Sequence, residues 1–200
     1  LENRTAVVGV MGLGYVGVPL VRAVHTAGYS VIGFDIDDAK VGMLNRGEAY
    51  IEHLGDEVFR ELAASDRFTA TSDPGDLARA DAILLCVPTP LGPHREPDLS
   101  YVLDSTRLVA RILRPGQLVV LESTTYPGTT RDEMLPILEA TDLHCGEAFC
   151  LAYSPEREDP GSAERTAALV PKIVGGVDDI STDLAMALYS RVGREAIRVS

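Results

Sequence analysis

The sequence predicts an α/β fold: a doubly wound, mostly parallel sheet with helices on both faces. Three observations carry that expectation. Short apolar runs alternate with amphipathic stretches along the 200 residues, the pattern of strands joined by crossover helices. The run Ala82-Ile83-Leu84-Leu85-Cys86-Val87 is apolar without a break, as a strand buried on both faces must be. A glycine-rich turn, Gly12-Leu13-Gly14-Tyr15-Val16-Gly17, follows the first apolar run and opens the first helical pattern.

The elements follow in order. Strands are expected at residues 6–11, 31–35, 82–87, 117–121, 149–153, 172–174 and 196–199. A helix over residues 15–27 should stop at Gly28, a natural residue just past a helix C-terminus. Another over 100–113 follows the Pro97-Asp98 turn and ends before Pro115-Gly116. Helical patterns at 130–140 and 179–191 complete the set, and residues 38–65 read as helix broken at Gly47 and Gly55. The polar stretch 92–98 is the connection most open to movement. Residues 1–200 are expected to form one domain.

Composition narrows the function. Hydrophobic residues make up 46% and charged residues 24%, the ordinary globular range. A formal net charge of −12, with Lys40 and Lys172 as the two lysines, argues against nucleic acid, which demands clustered cations. It argues equally against an anionic membrane surface. Cys86, Cys145 and Cys150 make neither a disulfide framework nor a paired Cys-x-x-Cys metal spacing. His144 beside Cys145 lacks a full ligand set, so no metal site is expected. No segment has the pattern of a secretory signal or a membrane span, and the expected setting is the reducing cytoplasm.

The glycine turn has the G-x-G-x-x-G spacing of a dinucleotide loop, and the second strand ends at an acid, Asp35. Each glycine has a task. Gly12 permits the tight strand-to-helix turn, Gly14 lets backbone approach a diphosphate, and Gly17 lets the helix pack against the strand. Exposed amides and the dipole at the helix N-terminus hold the anion, so a net acidic protein can bind an anionic cofactor. Gly12, Gly14, Tyr15, Val16 and Gly17 are therefore expected at the cofactor, in a Rossmann-like arrangement. Asp35 would accept hydrogen bonds from the adenosine ribose, and with Asp37 and Asp38 it would repel a 2′-phosphate, which favours NAD over NADP. Lys40 would lie over the ribose, or alternatively favour NADP. The competing reading makes the glycines a structural turn and Asp35 a solvated strand end.

Several stretches resemble the UDP-glucose/GDP-mannose dehydrogenase family, in the family's order. They are GLGYVGVPL at 12–20, GFDID at 33–37, LNRGE at 44–48, CVPTPL at 86–91, PDLSYV at 97–102, ESTTYPGTT at 122–130 and SPEREDPG at 154–161. The last, with PKIVGG at 171–176, is most similar to the branch that acts on UDP-N-acetylhexosamines. The resemblance implies oxidation of a sugar C6 hydroxymethyl group to a carboxylate with two NAD in succession, through an aldehyde captured by a cysteine thiolate. Such chemistry needs a nucleophilic thiol and carboxylates that move protons.

The resemblance also assigns residues. Thr89 becomes an NAD contact, or else a turn hydroxyl before Pro90. Thr124 becomes a threonine that touches NAD and helps place water, or else an ordinary β-branched strand end. Glu156 becomes the acid or base at the reacting end of the sugar, or else a helix-start carboxylate. Arg157 would hold Glu156 or the substrate, or form an exposed ion pair. Pro160 stands where some members carry a second glutamate, although Glu158 and Asp159 are close. The family's nucleophile lies in a glycine-rich segment beyond residue 200, with a lysine and an asparagine. Cys86, Cys145 and Cys150 read as packing residues, as do His25, His53, His94 and His144 or else as surface.

The expectation is the NAD-binding N-terminal part of a longer nucleotide-sugar 6-dehydrogenase, acting on a UDP-sugar and dimeric when whole, with this part inactive by itself. The rival enzyme is a single-step β-hydroxyacid dehydrogenase. The rival from another class is a dinucleotide-sensing module without chemistry.

Overall fold

The computed structural model describes residues 5–92, 96–155, 171–193 and 195–199. Among the described residues eight strands form one sheet in the order β3-β2-β1-β4-β5-β6-β7-β8. They are β1 Val7–Met11, β2 Ser30–Phe34, β3 Phe68–Thr71, β4 Ala82–Leu85, β5 Leu118–Leu121, β6 Cys150–Tyr153, β7 Lys172–Gly176 and β8 Ala196–Arg198. All pairs are parallel except β6 with β7, where Ala152 faces Gly176 and Tyr153 faces Gly175. The helices are α1 Gly17–Thr26, α2 Asp38–Arg46, α3 Asp56–Ala63, α4 Ser100–Ile112, α5 Leu135–Glu139 and α6 Asp179–Arg191.

Strand β4 shows why the sequence dictates this layering. Ala82, Ile83, Leu84 and Leu85 are all buried, and alternate side chains enter opposite cores. Ala82 and Leu84 pack with Val18 and Val21 of α1 and Leu188 of α6. Ile83 and Leu85 pack with Val102 and Val109 of α4 and Leu138 of α5. Truncating either leucine to alanine costs about 2–5 kcal/mol, since the cavity cannot fully collapse.

The expected break of residues 38–65 falls where glycine permits it: Gly47 and Gly55 have φ of 72° and 73°, the left-handed region open to glycine. Between them lies a short 3-10 turn, Glu52–Leu54. The helix expected at 130–140 is instead a π-helical turn, Thr129–Met134, running into α5. Two elements were not anticipated, β3 and the 3-10 segment Pro74–Arg79. Strand β3 hides because its four residues are half polar, with Phe68 and Ala70 buried and Thr69 exposed. Its outer edge is covered by Asn45, whose amide donates to the Ala70 carbonyl at 2.8 Å and accepts from the Ala70 N–H at 3.0 Å, blunting an otherwise open strand. Among the described residues no helix is long and apolar enough to cross a membrane.

Chain order reverses between β1 and β4, which run side by side while their crossovers leave to opposite faces. A crevice therefore opens at the carboxyl ends of these strands, the place where such sheets take their ligands.

Candidate functional site

The glycine turn fills one wall of that crevice. Strand β1 ends at Met11, and Gly12 turns the chain with φ of 93° while its N–H donates to the Phe34 carbonyl at 2.8 Å. A Cβ on Gly12 would lie 2.5 Å from the Cys86 carbonyl oxygen, and one on Gly17 would lie 1.7 Å from the Gly12 carbonyl oxygen. Both distances are inside hard contact, so these glycines are required by the protein's own packing. Gly14 differs: no atom lies within 4 Å of where its Cβ would stand. That open space above the backbone is what a diphosphate needs.

Helix α1 begins at Gly17 with Val16 as its N-cap, without a side-chain cap and without an acid in its first turn. Its positive end is thus left to an anion rather than to a carboxylate of the chain. Tyr15 is exposed and stacks on His53, ring centroids 5.3 Å apart and planes 6° from parallel.

Asp35 follows β2 at the next position along the crevice, 8% exposed. Its Oδ2 accepts the Leu13 N–H at 2.8 Å and its Oδ1 accepts the Asp37 N–H at 3.0 Å. Each carboxylate oxygen keeps further lone-pair capacity for ribose hydroxyls. Lys40 Nζ stands 3.9 Å from Asp35 Oδ2 on the solvent side, held there because Asp37 caps α2 through the Ala39 and Lys40 amides. Thr89, half-buried, lies past the end of β4, and Thr124, exposed, lies past the end of β5. Ser123 ties these strand ends together, its hydroxyl donating to the Val87 carbonyl at 2.6 Å.

Gly12, Gly14, Tyr15, Val16, Gly17, Asp35, Lys40, Thr89 and Thr124 thus gather along the carboxyl edge of β2, β1, β4 and β5. Glu156 lies outside the described residues, as do Arg157, Glu158, Asp159 and Pro160. Burial pushes the Cys145 thiol up to about 11 and raises Cys150 as well. Both remain protonated at neutral pH, unlike an activated nucleophile.

Sequence reading passed over two groups. One is a buried ionic cluster just beneath Thr124. Glu122, fully buried, accepts from Lys172 Nζ at 2.5 Å and from the Tyr189 hydroxyl, and Lys172 lies 5.2 Å from the Tyr189 ring centre. A glutamate closing the apolar run Leu118–Leu121 was the visible sign; its partner, fifty residues away, was not. The other is Tyr50, whose hydroxyl donates to the Leu13 carbonyl at 2.8 Å.

A mostly parallel sheet, a switch point and a glycine turn backed by an acid define a dinucleotide-binding α/β domain. The chain belongs to the UDP-glucose/GDP-mannose dehydrogenase family, whose NAD binding domain matches residues 6–193. UDP-N-acetyl-D-mannosamine dehydrogenase of Pyrococcus horikoshii is 36% identical over 184 residues, covering 91% of this chain and 44% of that protein. UDP-N-acetyl-D-glucosamine 6-dehydrogenase of Pseudomonas aeruginosa is 32% identical over 186 residues, covering 92% of this chain and 43% of that protein. The solved structure of UDP-D-ManNAc dehydrogenase from Pyrococcus horikoshii superposes with a TM-score of 0.89 at 34% identity, over 97% of this chain and 47% of that one. The chain therefore spans less than half the length of these relatives.

Proposed function

We propose that residues 1–200 form the NAD-binding domain of a nucleotide-sugar 6-dehydrogenase that converts the C6 hydroxymethyl group of a UDP-N-acetylhexosamine or UDP-hexose to a carboxylate. The observation that supports this reading best is the pairing of open space at Gly14 with an uncapped α1 N-terminus, within a chain of this family. When bound, NAD supplies a hydride acceptor. The chain's own residues hold and orient it: glycine-loop amides for the diphosphate, Asp35 and Lys40 for the adenosine ribose, Thr89 and Thr124 toward the reacting end. Glu156 moves protons at the sugar carbon, and Thr124 helps place water. The thiol, the sugar-orienting surface and the dimer contacts belong to the remainder of the parent enzyme.

The test is stoichiometric. The parent enzyme, given a panel of UDP-hexoses and UDP-N-acetylhexosamines, should release two NADH for each sugar consumed. One NADH per sugar, with a carbonyl product, would overturn the two-step oxidation. The 200-residue chain mixed with the same panel should release none.

A further inference from the structure

We infer that Tyr50 is a positioning residue for the glycine loop, holding the Leu13–Gly14 peptide so that the Gly14 amide faces the dinucleotide's diphosphate. This rests on the reading of the loop as the dinucleotide site. A peptide unit is planar, with its C=O and N–H pointing in opposite directions. The Leu13 carbonyl and the Gly14 N–H belong to one such unit, so a donor fixed on the carbonyl fixes the direction of the amide. The Tyr50 hydroxyl is that donor, 2.8 Å from the oxygen. The preceding unit, Gly12–Leu13, is fixed from the other side by Asp35, which accepts the Leu13 N–H at 2.8 Å. Two successive peptide planes are thus pinned, one by a carboxylate and one by a hydroxyl.

The loop needs such pinning because glycine leaves it free. With open space around Gly14 and no Cβ to bias its backbone, the Leu13–Gly14 plane could turn over at little cost. A turned plane would present a carbonyl to the phosphates in place of an amide. Leu13 itself cannot follow, since its side chain is fully buried.

Tyr50 is well placed for the task. It lies between Gly47 and Gly55 in the segment joining α2 to α3, next to buried Ile51, and its ring meets the Phe59 ring edge-on at 5.2 Å. Burial above all, then the charges of Asp35 and Asp37, push its hydroxyl up from the ordinary tyrosine value, so it remains a proton donor. The same segment touches the loop again through the His53–Tyr15 stack, which confines the turn from outside.

The experiment compares wild type with Tyr50→Phe, which keeps the ring and its packing and deletes only the donor. NAD and ADP-ribose, which carry the diphosphate, are titrated by calorimetry; adenosine, which lacks it, is followed by ligand-observed NMR. The expected result is a Kd about 3- to 10-fold higher for NAD and ADP-ribose, the worth of one hydrogen bond. Adenosine affinity should hold at its wild-type value. Equal weakening of all three ligands would make the hydroxyl a merely structural group and overturn the inference. Unchanged NAD affinity would overturn it too. A wild-type chain that bound no NAD would remove the dinucleotide reading itself, and this inference with it.

Discussion

The two halves of the sheet treat their polar groups in opposite ways. At β1 and β2 the N-terminus of α1 has no side-chain cap, and Asp35 sits at the crevice with Lys40 on its solvent side. At β5 and β7 the charges of Glu122 and Lys172 are sealed, 0% and 2% exposed, against each other and Tyr189. Unsatisfied backbone at a helix N-terminus is tolerable at the surface because water replaces the ligand when none is bound. A buried charge has no such substitute and must be paired inside the chain. The first half is therefore built for something that comes and goes. The second half spends its charges on holding the strand end that carries Thr124.

Glu156, proposed above to move protons at the sugar carbon, carries the largest expected effect. In the parent enzyme Glu156→Gln should lower turnover by about 10²- to 10⁴-fold, the usual span for a proton-moving group, with NAD affinity unchanged. Wild-type turnover would remove it from the chemistry.

The sealed cluster should answer in stability. Glu122→Gln leaves Lys172 without its carboxylate and should cost about 3–5 kcal/mol, seen as a lower urea midpoint. The double variant Glu122→Met with Lys172→Met should recover much of that loss, because apolar replacement of both partners removes the desolvation penalty. A Glu122→Gln chain as stable as wild type would erase the contrast between the two halves.

Gly14→Ala sharpens the contrast from the other side. Its methyl enters open space, so the fold should stand while the approach of a diphosphate is hindered, raising the NAD Kd about tenfold, or about 1.4 kcal/mol. Gly17→Ala, 1.7 Å from a carbonyl oxygen, should lose stability and binding together. Thermal melts beside NAD titrations separate the two outcomes.

The smallest effect belongs to His25, packed away from both sites with its Nε2 2.7 Å from Ser65 Oγ. Burial, then the charge of Arg67, holds its pKa below the usual 6.5. The unfolded chain takes up that proton first, so stability should fall as the pH drops below about 6.5 toward the depressed native value. His25→Gln should flatten that part of a urea-midpoint profile; an unaltered profile would assign the slope to other groups.

The sequence made the alternation of β and α elements plain because β4 and β5 are apolar on both faces and Gly47 and Gly55 punctuate the helices. It did not reveal β3, where four half-polar residues leave too short a pattern to separate from a loop. The glycine turn was legible because its spacing lies between an apolar strand and an amphipathic helix, with Asp35 ending the next strand. Local spacing could not show that Asp35 also binds the Leu13 amide, that Tyr50 grips the Leu13 carbonyl, or that Glu122 meets Lys172. Those are contacts between residues 22, 37 and 50 apart, and they exist only once the sheet order is set. Asp35→Ala should weaken NAD as well as narrow its advantage over NADP, because the loop loses an anchor along with the ribose acceptor.

The most direct measurement is calorimetric titration of the 200-residue chain with NAD and, separately, with NADP. NAD should bind at one per chain, and NADP at least about tenfold more weakly, since its 2′-phosphate would meet Asp35 and Asp37 at the end of β2. Absence of NAD binding, or equal affinity for the two cofactors, would contradict the account.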